Sequence, residues 1–129
     1  ATNIRGVEGN FALALDGKGQ PQATIRDRGG QLQSVTSAAF LPLIAWRLVV
    51  ITADGDHLRM YVDGQLVASV PCATVAASAT ETVWFGTDAE GTGLWDGRID
   101  ELAMFDKALG ENEIAGLHQA ALAEMARPR

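Results

Sequence analysis

Two adjacent carboxylates, Asp100 and Glu101, sit inside the stretch Leu94-Trp95-Asp96-Gly97-Arg98-Ile99-Asp100-Glu101-Leu102-Ala103-Met104-Phe105, the part of the 129-residue chain richest in groups able to do chemistry. Residues 98–105 read as a strand. Alternation then places Asp100 on one face with Leu102 and Met104, and Glu101 on the other with Ile99, Ala103 and Phe105. An unpaired buried charge is strongly disfavoured, so Asp100 needs a partner: backbone amides, or an arginine such as Arg47, Arg59 or Arg98. Asp54, Asp56 and Asp63 lie in turns, where Asp is expected for backbone reasons alone. Only two histidines occur, His57 in a turn and His118 in a helix, too few and too separated for a Ser-His-Asp arrangement or a His-based zinc site. No phosphate-binding glycine motif and no N-glycosylation acceptor is present. The one cysteine, Cys72, excludes an intrachain disulfide and reads as a buried inert thiol in the apolar run Val70-Pro71-Cys72-Ala73.

The elements that must hold these groups are predominantly strands. With 47% hydrophobic and 20% charged residues, the chain is ordinary for a globular domain, and 129 residues suffice for one real core. The formal net charge of -6 with scattered basic residues argues against a nucleic-acid or acidic-lipid partner, and no run is long enough to span a membrane. Phe11-Ala12-Leu13-Ala14-Leu15-Asp16 alternates large with small residues and predicts a strand, followed by turn residues Asp16-Gly17-Lys18-Gly19. Strands over 22–26 and 31–36 follow, separated by Arg28-Gly29-Gly30. Trp46 to Thr52 is a β-branched run covered on both faces, and 58–62 and 65–69 form a hairpin about Asp63-Gly64, a pair suited to the two positive-φ positions of a type I′ turn. Thr82 to Gly86 reads as a further strand and Thr87 to Gly93 as a surface loop flanked by Asp88, Glu90 and Asp96. Residues 111–126 have the helical period, with Ile114, Leu117, Ala121 and Met125 in one apolar stripe widened by His118 and Leu122. Gly110 and Glu113 make a weak capping arrangement.

Trp46 opening a Val/Ile-rich strand, then Met60-Tyr61-Val62-Asp63-Gly64-Gln65-Leu66-Val67, Gly97-Arg98-Ile99-Asp100-Glu101, Ala108-Leu109 and Glu113-Ile114, in this order and spacing, resembles the laminin-G-like jelly-roll family of the concanavalin A-like lectin/glucanase superfamily. The resemblance implies an all-β fold, a two-sheet antiparallel jelly-roll sandwich with a C-terminal α-helix, as a single domain over 1–129 with strands over about 11–105. It also implies a non-catalytic module that recognises carbohydrate or protein, as part of a larger extracellular or cell-surface protein. Glycosidases of the superfamily carry a Glu-x-Asp-x-x-Glu strand that puts acid and nucleophile on one face; Asp100 and Glu101 point to opposite faces and cannot serve so. Many family members hold a structural calcium, which makes Asp100 and Asp96 the candidate metal ligands, hard oxygen donors suiting that ion. The candidate ligand-binding residues are Trp84, Asp88, Glu90 and Trp95, two aromatic platforms and two loop carboxylates, with core packing the alternative for both tryptophans and for Trp46. Family domains carry further strands before the equivalent of Phe11, and here only ten residues precede it. The rival expectation is therefore an assembly domain that completes its sandwich with another chain or segment, through the N-terminal edge or the C-terminal helix.

Overall fold

Strand alternation in the sequence becomes two antiparallel three-stranded sheets in the computed structural model, which describes residues 10–42, 44–76, 83, 85–87, 91 and 93–128. The first sheet has the order β1 (Phe11–Leu15), β2 (Pro21–Arg26), β3 (Leu32–Thr36), and the second β4 (Val49–Ala53), β5 (His57–Val62), β6 (Gln65–Pro71). One helix, α1 (Glu111–Met125), follows. The architecture is a mostly-β sandwich, as the resemblance implies.

The core is the contact between the sheets' facing sides. Along β2, Pro21, Ala23 and Ile25 are buried and the residues between them are half-exposed, the period of two that a half-buried strand requires. Ala23, Ile25 and Val35 meet Leu58, Met60 and the buried Cys72, and Phe11, Leu13, Val49, Ile51 and Val70 pack around them. Leu58 and Met60 are completely buried, worth about 2–3 kcal/mol each relative to exposure. Opposite Met60 the pairing slips: Met60 faces Ala68 while Tyr61 faces Leu66, so Val67 is an extra, bulged residue in β6. The bulge reverses the parity of the strand end, leaving Leu66 beside Tyr61 and away from the core face of Met60.

The turns in the first sheet repeat one local solution. Asp16-Gly17-Lys18-Gly19-Gln20 and Asp27-Arg28-Gly29-Gly30-Gln31 share an Asp-x-x-Gly-Gln pattern. In each, the aspartate Oδ1 accepts the glutamine N–H, at 2.9 and 3.0 Å, and the aspartate C=O accepts the glycine N–H at 3.0 Å. Both Gly19 and Gly30 adopt φ +81, a conformation other residues reach only with strain. The sheets are also tied by backbone: Arg28 N–H donates to Thr74 C=O and Ala76 N–H to Arg26 C=O, both at 2.9 Å.

Three expectations are corrected. Residues 98–105 carry no strand: Glu101 sits at φ +54, and among the described residues no backbone hydrogen bond joins the stretch to another strand. Trp46 does not open β4, which begins at Val49, and its side chain is 50% exposed. The helix buries Ile114 and half-buries His118 and Ala121, but Leu117, Leu122 and Met125 are exposed, because contact with the sandwich comes from the first half of α1.

The β4–β5 turn carries a charge whose protonation state matters to the fold. Asp54 Oδ1 accepts the N–H groups of Asp56 and His57 at 2.9 and 2.8 Å, and Oδ2 pairs with Arg59. The Arg59 guanidinium first, and then the two amides, hold the Asp54 carboxyl well below the usual carboxylate range. A carboxyl depressed on folding stabilises the fold fully above its unfolded value of about 3.8, and that contribution is lost as pH falls through the folded value. In urea unfolding, Asp54→Asn is expected to be less stable than the parent at pH 6, with the difference shrinking at pH 3; an equal difference at both pH values contradicts the account.

Candidate functional site

Among the described residues, polar groups from three elements converge on Asp63, the first residue of the β5–β6 turn. Asp63 and Gly64 adopt φ +51 and +80, the two left-handed positions of a type I′ hairpin, so the Asp-Gly pair performs the role read from its chemistry. In that conformation Asp63 Oδ2 accepts from Arg47 Nη1 at 2.6 Å and Oδ1 accepts Leu48 N–H at 3.1 Å, while Asp63 N–H donates to Leu48 C=O at 2.9 Å. His118 of α1 brings Nε2 within 3.9 Å of Oδ1. One carboxylate thus joins the approach to β4, the hairpin and the helix. Gly64 makes the helix contact feasible, since a Cβ there would lie 3.3 Å from His118 Cβ and 3.6 Å from Ala115 Cα. Arg47 and Arg59, both proposed as partners for Asp100, are instead committed to Asp63 and Asp54.

Helix α1 is fixed at its start by a second small network. Glu113 Oε2 accepts Gly110 N–H at 2.8 Å and Oε1 accepts from Lys107 Nζ at 2.6 Å, half of a capping box, as expected of a glycine cap. The lysine, and then the Gly110 amide, lower the Glu113 pKa.

Of the sequence-derived site residues, the structure describes Asp96, Asp100 and Trp95. Asp96 and Asp100 are exposed, and Asp100 Oδ1 accepts the adjacent Glu101 N–H at 2.9 Å. Asp100 is therefore not the buried pin expected: among the described residues no strand pairs with 98–105, and parity implies burial only where a paired strand covers a face. Among the described residues no three His, Cys, Asp or Glu side chains converge. Calcium takes six to eight oxygens, and Asp96 and Asp100 supply only part of such a set. Trp84, Asp88 and Glu90 lie outside the described residues. Trp95 is half-buried; its N–H donates to Gly86 C=O at 2.7 Å, and its indole Nε1 is buried with no hydrogen-bond partner among the described residues. Gly97 sits against it, where a Cβ would lie 3.0 Å from Nε1. His57, expected in a turn, opens β5, and its Nδ1 is likewise buried without a partner among the described residues.

Sequence reasoning missed the Asp63 junction and the exposure of Trp46. Asp63 reads as an ordinary turn residue, and nothing local marks Arg47 and His118 as its neighbours. Trp46 is displaced from the sheet because Arg47 and Leu48 are drawn to Asp63 before β4 begins.

A laminin G family model, described as the concanavalin A-like lectin/glucanases superfamily, matches residues 2–115. The chain belongs to that superfamily. No curated protein matches. Among solved structures, the chain is similar to residues 221–444 of an S-layer domain-containing protein from Clostridium thermocellum, with 20% identity and a TM-score of 0.55 over 92% of this chain and 67% of that one. At that identity the likeness supports the fold alone. As a member of the concanavalin A-like superfamily, the chain presents the two-sheet scaffold on which loops carry the variable surface.

Gly64→Ala is expected to destabilise the protein by about 1–3 kcal/mol, from the left-handed φ and the crowding of His118. The cost should fall in a His118→Ala background. An identical cost in both backgrounds in a double-mutant cycle would show that the helix does not bear on the hairpin.

Proposed function

We propose that this concanavalin A-like domain is a non-catalytic recognition module, binding carbohydrate or protein outside the cell or at its surface. The observation that carries the reading is aromatic: Phe40, Trp46 and Phe85 lie outside the strands with about half or more of their surface exposed, while the buried core between the sheets is built from other residues. Rigid, flat side chains on loops of a rigid scaffold suit stacking on sugar rings or anchoring in a protein pocket. Trp46 is the best placed of them, because Arg47 and Leu48 beside it are tied to Asp63. Trp84, Asp88, Glu90 and Trp95 remain candidate ligand-binding residues from the sequence. Support for an extracellular setting comes from the superfamily and from the S-layer domain in the name of the similar structure.

Affinity electrophoresis against a panel of polysaccharides tests the carbohydrate arm. Retardation by at least one is expected, weakened roughly tenfold or more by Trp46→Ala, the order of an aromatic anchor's contribution. Adding calcium tests the ion implied by the superfamily: strengthening that Asp100→Ala removes supports it, and indifference rejects it. No retardation on the polysaccharide panel, with no protein ligand found by display selection, sinks the recognition reading.

A second reading, an assembly domain completed by another chain or segment, is favoured by the closing segment. Leu94, Leu102, Met104 and Phe105 are all more than half exposed within twelve residues, and exposed apolar side chains clustered in sequence suit burial against another chain or segment. In the protein isolated from its native source, slow amide hydrogen exchange over 98–106 is expected; fast exchange there rejects the assembly reading.

A further inference from the structure

We propose that the loop between β3 and β4, residues 37–48, docks the domain on the surface of a zwitterionic lipid bilayer, with Phe40 and Ile44 entering the interfacial layer. The loop contains Ala38-Ala39-Phe40-Leu41-Pro42-Leu43-Ile44-Ala45-Trp46, and from Gly29 to Trp46 the chain carries no charged side chain. Ile44 is 100% exposed and Phe40 65%, and Ala38, Ala39, Pro42 and Ala45 are exposed with them. Connecting loops ordinarily meet water with polar side chains, so apolar residues held out in this way mark an interaction surface.

The loop is held at both ends. Ser37 N–H donates to Pro21 C=O at 2.9 Å and Gln20 Nε2 to Ala38 C=O at 2.8 Å, which fixes the exit from β3. Phe40 Cδ1 lies 4.0 Å from the point that a Cβ on Gly19 would occupy, so the ring sits beside the β1–β2 turn. At the far end Asp63 holds Arg47 and the Leu48 amide. A segment anchored so has little conformational freedom left to lose on docking.

The side chains identify the occupant. Across 38–46 the indole of Trp46 is the one side chain able to hydrogen-bond. A sugar needs donors and acceptors around its hydroxyls, and a protein interface sets a polar rim around its apolar centre; residues 38–46 supply neither. A bilayer surface needs apolar side chains, with aromatic residues at headgroup level, and Phe40 and Trp46 bracket Ile44 in the sequence. Pro42 adds to the fit, since it brings no backbone N–H to be desolvated. The formal net charge of -6 disfavours anionic headgroups, and the first cation after the loop's apolar run, Arg47, is paired with Asp63. Apolar contact rather than charge supplies the binding. Docking is additional to the recognition reading and does not depend on it; Ile44, which that reading does not use, separates the two.

Cosedimentation of the whole chain with phosphatidylcholine vesicles tests this. Binding is expected, unchanged by added salt and weakened when phosphatidylserine is mixed in. Ile44→Asp is expected to lower the partition coefficient roughly tenfold or more, the factor that burying one large aliphatic side chain is worth, and Phe40→Ser to lower it as well. Because Ile44 is fully exposed, Ile44→Asp should leave the melting temperature and polysaccharide retardation unchanged. No cosedimentation with phosphatidylcholine overturns the proposal, as does binding indifferent to Ile44→Asp. Binding that requires phosphatidylserine and disappears in salt overturns it too, because charge would then carry the contact. A protein ligand that Ile44→Asp releases, with vesicles unbound, overturns it in favour of a protein surface. Polysaccharide retardation without vesicle binding overturns docking and leaves the recognition reading standing.

Discussion

A single carboxylate in a left-handed backbone conformation organises the second half of the molecule. Asp63 at φ +51 is strained for a residue with a Cβ, and the strain is offset by what the conformation permits. Both oxygens point away from the hairpin and reach Arg47, the Leu48 amide and the neighbourhood of His118. Gly64 next to it has no side chain to hold the helix off. Segments separated by more than fifty residues of sequence are brought together by a two-residue turn. The start of β4 is tied to this junction by Arg47 and Leu48, and the helix approaches it through His118.

The first sheet is built differently. Its connections are self-contained, each a five-residue Asp-x-x-Gly-Gln turn whose hydrogen bonds close within the turn. Asp27 is buried, yet its carboxylate is satisfied by the Gln31 amide, so it is not a polar group left without a partner in the sandwich. The outward rows of this sheet are polar and small, with Gln22 paired to Thr36 and Thr24 to Ser34 across the strands. The aromatic exposure that supports recognition lies outside the sheets, at Phe40, Trp46 and Phe85.

What could be read from the sequence follows the range of the forces involved. β1, β2, β3, β5 and β6 were legible to within one or two residues, because alternation and Asp-Gly or Gly-Gly turns act locally. Helix α1 was legible for the same reason, its start marked by Gly110 and Glu113. Residues 98–105 were read as a strand from their resemblance to the family's closing strand, but a strand exists only where a neighbour pairs with it, and among the described residues none does. The candidate site depended on that neighbour, so Asp100 moved from an expected buried position to solvent. Trp46 and the Asp63 junction were hidden because the contacts that set them are long-range. The apolar stripe of α1 was real, but sequence alone could not say that only Ile114 through Ala121 would find a surface to cover.

The bulge at Val67 limits how such a molecule can aggregate. A regular outer strand offers its N–H and C=O groups in unbroken phase, so copies can stack on it without end. An inserted residue breaks that phase near the start of β6, where a bulge locally increases twist, so copies stacking on it meet an interrupted ladder. The interruption makes this border strand a poorer seed for fibres than a regular strand of the same length would be.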